Sequence, residues 1–418
     1  MADRIPPRHG GHAPGTPGRR APQDNAETTN VYAEGQAIYL DYAATAPLRP
    51  EVWTAMAEAL DCCFNPVSSH SFGQRAHHSL EEARAELAGL IGCRVREVYF
   101  TGGGTSSSNL AVLGFIRANA GRRPRVLISE VEHQAGLQAA RHAAEEGADV
   151  RLIPVDASAT LRLDVLETVL AQEGDRPTLV SVMWANNEVG AVQPIAEVER
   201  LTHRHGALLH TDAVQAFGKL DVSVERIPTD LLSATAHKLG GLVGIGLLYC
   251  REGVDLAPLT YGGTQERALW PGTQNPLAAV GFARAARLAV EERATVAPRW
   301  HELREQLAKR LNEGVRGLTV HAGDAPERLP NILSVGIPDC DPGALLVSLD
   351  LDGIAVSAGS ACSSGSVAAS HVLEAMGIAG SDEYATLRYS FGPTTTREHV
   401  ERAADATIRA CSRIMAHA

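Results

Sequence analysis

The chain has 418 residues, 44% of them hydrophobic, enough to bury one large core and a second, smaller one. Its 38 Lys and Arg against 49 Asp and Glu leave a formal net charge of -11, which argues against a nucleic-acid backbone as the main partner. No apolar run reaches membrane-spanning length, no charged-then-apolar signal segment opens the chain, and seven cysteines without paired spacing suit neither a disulfide framework nor a zinc site; the expectation is a cytoplasmic protein with reduced thiols and no membrane contact.

Residues 1–35 are rich in Pro, Gly, Arg and His and carry almost no periodic apolar residues, the composition of a tail that cannot offset its ordering entropy by burial. From Ile38 the texture changes. Short apolar runs at 98–101, 125–129, 179–183, 207–211 and 245–249 read as strands buried on both faces, and helix patterns such as 77–91 and 105–119 lie between them. This alternation predicts an α/β domain with a mainly parallel sheet sandwiched by helices. A long helical stretch follows at 276–314, and the rest reads as a smaller α+β unit ending in a helix over 397–414. The expected division is a disordered tail over 1–35, a large α/β domain over 48–293, and a small α+β domain made of 36–47 with 294–418.

Several residues along this frame can carry chemistry. Gly102-Gly103-Gly104-Thr105 follows a strand and opens a helix, so its amides and hydroxyl suit an anion, although an ordinary capped turn has the same sequence. His133 follows another strand end, where a histidine either stacks on a flat ring and exchanges protons or is simply structural. Asp212 closes an apolar run at the edge where parallel sheets bind ligands, and it reads equally as a helix cap; Gln215 lies three residues on. Lys238 sits between an apolar strand and Gly240-Gly241, placed to enter a crevice where desolvation makes an amine a nucleophile. Cys362 lies in Ser360-Ala361-Cys362-Ser363-Ser364-Gly365, too polar and small-sided for core, which suits a water-accessible thiol. The other six cysteines lie in or beside helix and strand patterns and read as inert. Arg388, flanked by Leu387 and Tyr389, suits either a carboxylate substrate or a structural ion pair. A lysine accompanied by a phosphate-type loop, a carboxylate and an arginine is the set that pyridoxal phosphate requires.

From Ile38 to the C-terminus the chain resembles the cysteine desulfurases, enzymes of the aminotransferase-like pyridoxal-phosphate fold type I. The resemblance rests on Tyr39-Leu40-Asp41-Tyr42-Ala43-Ala44-Thr45, on Asn65-Pro66 through His70, Gly73 and Ala76, on Trp184-Ala185-Asn186-Asn187-Glu188-Val189-Gly190, and on the motifs above. It implies Lys238 as the Schiff-base lysine, Asp212 on the ring nitrogen, His133 over the ring, and Asn187 and Gln215 near the phenolic oxygen. Phosphate contacts are implied for Gly104, Thr105, Thr235 and His237, with Thr273 reaching in from the second subunit of a homodimer. Arg388, with Asn187, is implied to hold the substrate L-cysteine, whose sulfur passes to Cys362 as a persulfide while alanine leaves. The Ser- and Gly-rich loop around Cys362 is similar to the long-loop subgroup that serves iron-sulfur cluster assembly and thiolation, which implies a sulfur-acceptor protein as partner.

Some positions depart from the family pattern. Ser106 and Ser108 stand where Glu and the first Asn are usual, Trp270-Pro271-Gly272-Thr273 replaces Arg-Ser-Gly-Thr, and Thr264 interrupts a Gly triplet. The alternatives are a selenocysteine lyase, a racemase or aminotransferase on the same scaffold, and a catalytically idle sulfur-delivery scaffold.

Overall fold

The computed structural model describes residues 37–172, 176–358, 370–378 and 384–416. Among these, the short strand β1 (Ile38–Tyr39) leads past a buried Leu40 to helix α1 (Pro50–Glu58), where Pro50 supplies the fixed φ that suits a first helical turn. Helix α2 (Ser71–Ile91) begins six residues before the apolar periodicity does. His70 Nδ1 accepts the Gly73 amide and so supports a polar first turn that hydrophobic patterning misses.

The strands that follow build one seven-stranded sheet. They are β2 (Val98–Thr101), β3 (Arg125–Ser129), β4 (Asp149–Ile153), β5 (Thr178–Ser181), β6 (Leu208–Asp212), β7 (Leu231–Thr235) and β8 (Gly246–Cys250). Their spatial order is β2-β8-β7-β6-β5-β3-β4. All neighbours run parallel except β8, which is antiparallel to both β2 and β7. Helices α3 (Gly104–Ala118), α4 (Gln134–Glu145), α5 (Leu163–Ala171) and α6 (Ile195–Arg204) supply the crossovers that parallel pairing demands.

Both faces of the sheet are covered, and the two-residue period of a strand sorts its side chains between two cores. In β8, Leu247 and Tyr249 enter the core shared with α1 and α2, while Leu248 and Cys250 enter the one shared with α3 and α4. Strand β3 does the same, with Leu127 on one side and Val126 and Ile128 on the other.

Helix α7 (Pro276–Gly314) is 39 residues long and takes part in two cores: Phe282 and Ala286 pack with the large sheet, Leu303 and Leu307 with a second layer. That layer is a four-stranded antiparallel sheet, order β12-β13-β10-β9, from β9 (Thr319–Val320), β10 (Ile332–Pro338), β12 (Ser357–Ala358) and β13 (Tyr384–Ser390). Helices α8 (Pro342–Leu351) and α10 (Arg397–Met415) cover it, α9 (His371–Ala375) is one short turn, and β11 (Ile354–Ala355) pairs parallel with β1.

The parallel strands deliver their carboxyl ends to one edge, where ligands bind in open α/β sheets. There the start of β8 meets the turn after β2: a Cβ on Gly246 would lie 2.5 Å from the Gly103 carbonyl carbon. Gly103 itself sits at φ +141, a conformation open to glycine but rarely to other residues. Gly246→Ala is therefore expected to lower stability by about 1–3 kcal/mol through overpacking. A urea midpoint equal to that of the parent would contradict this.

Candidate active site

A cleft of about 470 Å³ opens at this edge, and backbone from five strand ends forms its walls. After β2, Gly102–Thr105 turn into α3, whose N-terminus has no side-chain cap, so its first amides remain available to an anion. After β3 the chain reaches His133, the N-cap of α4. After β5 it runs through Met183 to Asn187, β6 ends on Asp212, and Thr235, His237 and Lys238 follow β7. Arg388 enters from β13 of the other sheet.

Lys238 Nζ donates to the carbonyl oxygens of Ala43 (2.7 Å) and Ala44 (2.6 Å), so the amine is held at the cleft wall by backbone acceptors. Gln215 Nε2 donates to the same Ala43 oxygen at 2.8 Å. Asp212 Oδ1 accepts the Val214 amide at 2.9 Å, and Ser108 Oγ approaches Oδ2 at 3.5 Å. Burial pushes the Asp212 carboxyl above the usual range, against the lowering pull of the Val214 amide, His133 and Lys238.

Glu132 is also wholly buried. Burial first, and then the Asp212 charge, push its carboxyl well above the usual carboxylate range, against the lowering pull of the Met183 amide that it accepts. His133 Nδ1 accepts the Ala135 amide at 3.1 Å, which leaves the proton of the neutral ring on Nε2. Burial lowers its pKa, Lys238 and His371 add to that, and Asp212 opposes it. His237 drops to about 4, chiefly by burial, while its Nδ1 meets Thr45 Oγ1 at 3.1 Å. Arg388 is 2% exposed; it donates through Nη1 to Asn187 O at 2.9 Å and pairs through Nη2 with Asp41 Oδ1 at 2.8 Å. Its Nε–H finds no partner among the described residues.

The residues singled out from sequence fall into three groups. Gly104, Thr105, His133, Asn187, Asp212, Gln215, Thr235, His237, Lys238 and Arg388 all line the one cleft. Thr273 lines an adjacent pocket of about 160 Å³ that shares Gly102 and Gly244 with the cleft. Cys362 lies outside the described residues, as do 1–35. For several residues the structural and functional readings hold together: Asp212 caps a turn and faces the cleft, His133 caps α4 and faces the cleft, and Arg388 forms an ion pair while presenting a further donor.

Gln215 is 3% exposed and lines the cleft. Among the other cysteines, Cys62, Cys250, Cys340 and Cys411 are buried and Cys93 is half-buried, but Cys63 is exposed. Burial pushes the Cys93 and Cys250 thiols up to about 12, which makes them poor nucleophiles. Sequence reasoning missed the acceptor role of Ala43 and Ala44, because a backbone carbonyl leaves no trace in residue type. It also missed Glu132, adjacent to His133, and the donor that Ser108 keeps towards Asp212 where the family pattern has Asn.

The donor set fits pyridoxal phosphate. An uncapped helix start with glycines suits the phosphate, a buried acid suits a cationic ring nitrogen, and a part-buried amine on two carbonyls suits a Schiff base.

Residues 38–403 match the aminotransferase class-V family. The chain is 40% identical over 371 residues to the putative cysteine desulfurase IscS 1 of Bacillus subtilis, covering 88% of this chain and 97% of that one. It is 37% identical over 369 residues to the cysteine desulfurase IscS of Dictyoglomus turgidum, covering 88% and 93%. Among solved structures it is similar to a NifS-like protein, with a TM-score of 0.83 at 33% identity over 90% of this chain and 100% of the other. A structure of SspA in complex with cysteine matches with a TM-score of 0.73 at 29% identity, over 86% and 99%.

Because the Asp212 charge favours the protonated form of His133, Asp212→Asn is expected to move the His133 titration to still lower pH. Histidine ring NMR across a pH series reads this directly; an upward move would mean that the two groups do not interact as described.

Proposed function

The chain belongs to the aminotransferase class-V family, and we propose that it is a pyridoxal-phosphate-dependent cysteine desulfurase that converts L-cysteine to L-alanine and moves the sulfur onto Cys362. The observation that carries this reading is that Lys238, Asp212, His133, Asn187, Gln215 and Arg388, far apart in sequence, line a single cleft.

Bound pyridoxal phosphate supplies an electrophilic carbon for the substrate amine and a ring that accepts electrons from it. The protein's share is binding, orientation and proton movement. Arg388 takes the substrate carboxylate with the donors that Asp41 and Asn187 leave over, and those two partners keep its planar fork aimed. Asp212 would face the ring nitrogen, and burial together with the Asp212 charge raises the pKa of the adjoining Glu132 carboxyl, which works against a second negative charge there. Gly104, Thr105, Thr235 and His237 hold the phosphate from this chain, and Thr273 serves the partner's site in a homodimer.

Proton movement falls to two groups. Lys238 Nζ, the amine that would hold the cofactor, would also carry protons on the substrate. Neutral His133 holds its proton on Nε2 and so gives one before it accepts one. In the sulfur step the substrate C–S bond breaks and an S–S bond to Cys362 forms. L-cysteine and the enzyme thiol thus yield L-alanine and an enzyme persulfide without an external oxidant or reductant. The persulfide then passes to an acceptor protein, for which an iron-sulfur scaffold or a thiolation enzyme has the matching chemistry. No helix among the described residues is long and apolar enough to cross a membrane, and the reading places the enzyme in the cytoplasm.

With the cofactor-loaded protein, Cys362→Ala is expected to keep the visible cofactor absorbance and to lose alanine production by roughly a hundredfold or more. Lys238→Ala is expected to lose that absorbance. Alanine formed from cysteine at the parent rate by Cys362→Ala overturns the sulfur-transfer assignment, and a preference for selenocysteine with Cys362 dispensable moves the activity to a lyase.

A further inference from the structure

Lysine occurs at three positions only, 219, 238 and 309, in a chain that otherwise uses arginine for its cations. Lys309 is a helix residue with a 77% exposed side chain, and Lys238 faces the cleft. Lys219 is buried, and the reading above gives it nothing to do.

The local backbone explains how it becomes buried. Asp212 to Leu220 form consecutive turns, with the Phe217 amide on Ala213 O and the Lys219 and Leu220 amides on Ala216 O. Gly218, at φ +75, reverses the chain where a Cβ would lie 2.6 Å from Ala289 Cβ of α7. Packed against α7 in this way, the turn sends the Lys219 side chain inward beneath Gln215. Its Nζ donates to Gln215 O at 3.1 Å and to Gln215 Oε1 at 3.0 Å. The charges that act on it are those of Lys238 and Arg388, both positive, and it acts in turn on His237. Burial first, and then these neighbours, bring its amine down to about 7.

The amide of Gln215 is therefore clamped from two sides. A lysine amine with two carbonyl oxygens before it presents its hydrogens to them, so the amide atom facing Lys219 is the oxygen. A backbone carbonyl only accepts, so the atom facing Ala43 O, at 2.8 Å, is Nε2. A flip would set donor against donor on one side and acceptor against acceptor on the other. We propose that Lys219 is a positioning residue that fixes the Gln215 amide with its NH2 group turned to the Lys238 side of the cleft. One N–H is spent on Ala43 O, and the other stays available for an oxygen of the bound ring. Arginine is a poorer match here: its planar fork carries five donors in fixed directions, whereas a compact amine on an unbranched stem needs only the two oxygens that Gln215 offers.

This inference rests on the pyridoxal-phosphate reading, and the experiment separates the two. The holoenzyme of the full chain is titrated with pH while the visible cofactor band is recorded. A band absent from the parent protein sinks the cofactor reading itself.

Given a band in the parent, a donor on the ring oxygen and a nearby cation both disfavour protonation of the lysine–cofactor nitrogen. Lys219→Met removes both, so the pH midpoint is expected to rise by about one unit. In a Gln215→Met background the same substitution is expected to give a clearly smaller rise, because only the through-space effect of the charge is left to remove. A purely space-filling Lys219 leaves the midpoint unmoved in Lys219→Met, which keeps the apolar length; that result overturns the proposal. Equal shifts with and without Gln215 overturn it too, since they show a charge acting directly through space. Should Lys219→Met fail to fold, Lys219→Gln, which keeps a donor without the charge, carries the same titration. A smaller rise than that expected for Met supports the role, and none refutes it.

Discussion

The segment from Asp41 to Thr45 is the knot on which the site depends. Ala43 N donates to Ser390 Oγ, and Asp41 Oδ1 pairs with Arg388, so the segment is tied to β13 of the smaller sheet. Its carbonyls face the other way: Ala43 O accepts from Lys238 and Gln215, and Ala44 O accepts from Lys238. Thr45 Oγ1 then meets His237. Five consecutive residues thus hold a cation from one sheet and an amine from the other against the same wall. Buried acceptors of this kind are seldom left unsatisfied, so the segment cannot shift without unpairing groups from both sheets.

The electrostatics of the cleft follow from that arrangement. Lys219, Lys238 and Arg388 bring three basic groups within mutual influence, while burial raises the carboxyls of both Glu132 and Asp212. Repulsion of this kind lowers the cost of deprotonating an amine, which is how a lysine becomes a nucleophile near neutral pH. The same excess of positive charge welcomes a phosphate and a carboxylate. The −11 formal charge of the whole chain gives no hint of this local excess. Net charge describes the surface, and the cleft is set by a few desolvated groups.

Much of this was legible in the residues. The runs 98–101 and 125–129 coincide with β2 and β3, because apolar residues that alternate between two cores leave an unbroken hydrophobic signature. Strand β5 stops at Ser181, two residues before its apolar run does, since Val182 stays in the core and Met183 lines the cleft, both buried beyond the strand's end. The antiparallel course of β8 was not legible: both faces of Leu247 and Leu248 are covered whichever way the strand runs, so composition holds no direction. Lys238 stood out by its company of glycines, a carboxylate and an arginine. Lys219 did not, because it belongs to no ligand-facing motif and its meaning is a hydrogen bond to a neighbour's side chain. Ser108 shows the converse: a departure from the family pattern that keeps a hydroxyl within 3.5 Å of Asp212.

The described flanks of the stretch that carries Cys362 contact residues at or beside the cleft. On the upstream side, Ser357 of β12 is paired with Arg388 of β13. On the downstream side, Ser370 Oγ donates to buried Glu188 Oε2 at 2.5 Å, and Glu188 adjoins Asn187, whose carbonyl holds Arg388. His371 donates Nε2–H to Glu132 O at 2.9 Å and accepts from Gln134 Nε2 through Nδ1, so its ring bridges the residues on either side of His133. Each of these contacts joins a backbone or side-chain group of the cleft to an end of that stretch. Arg388 and the His133 turn are therefore the parts of the cleft that share hydrogen-bond partners with the two ends of that stretch.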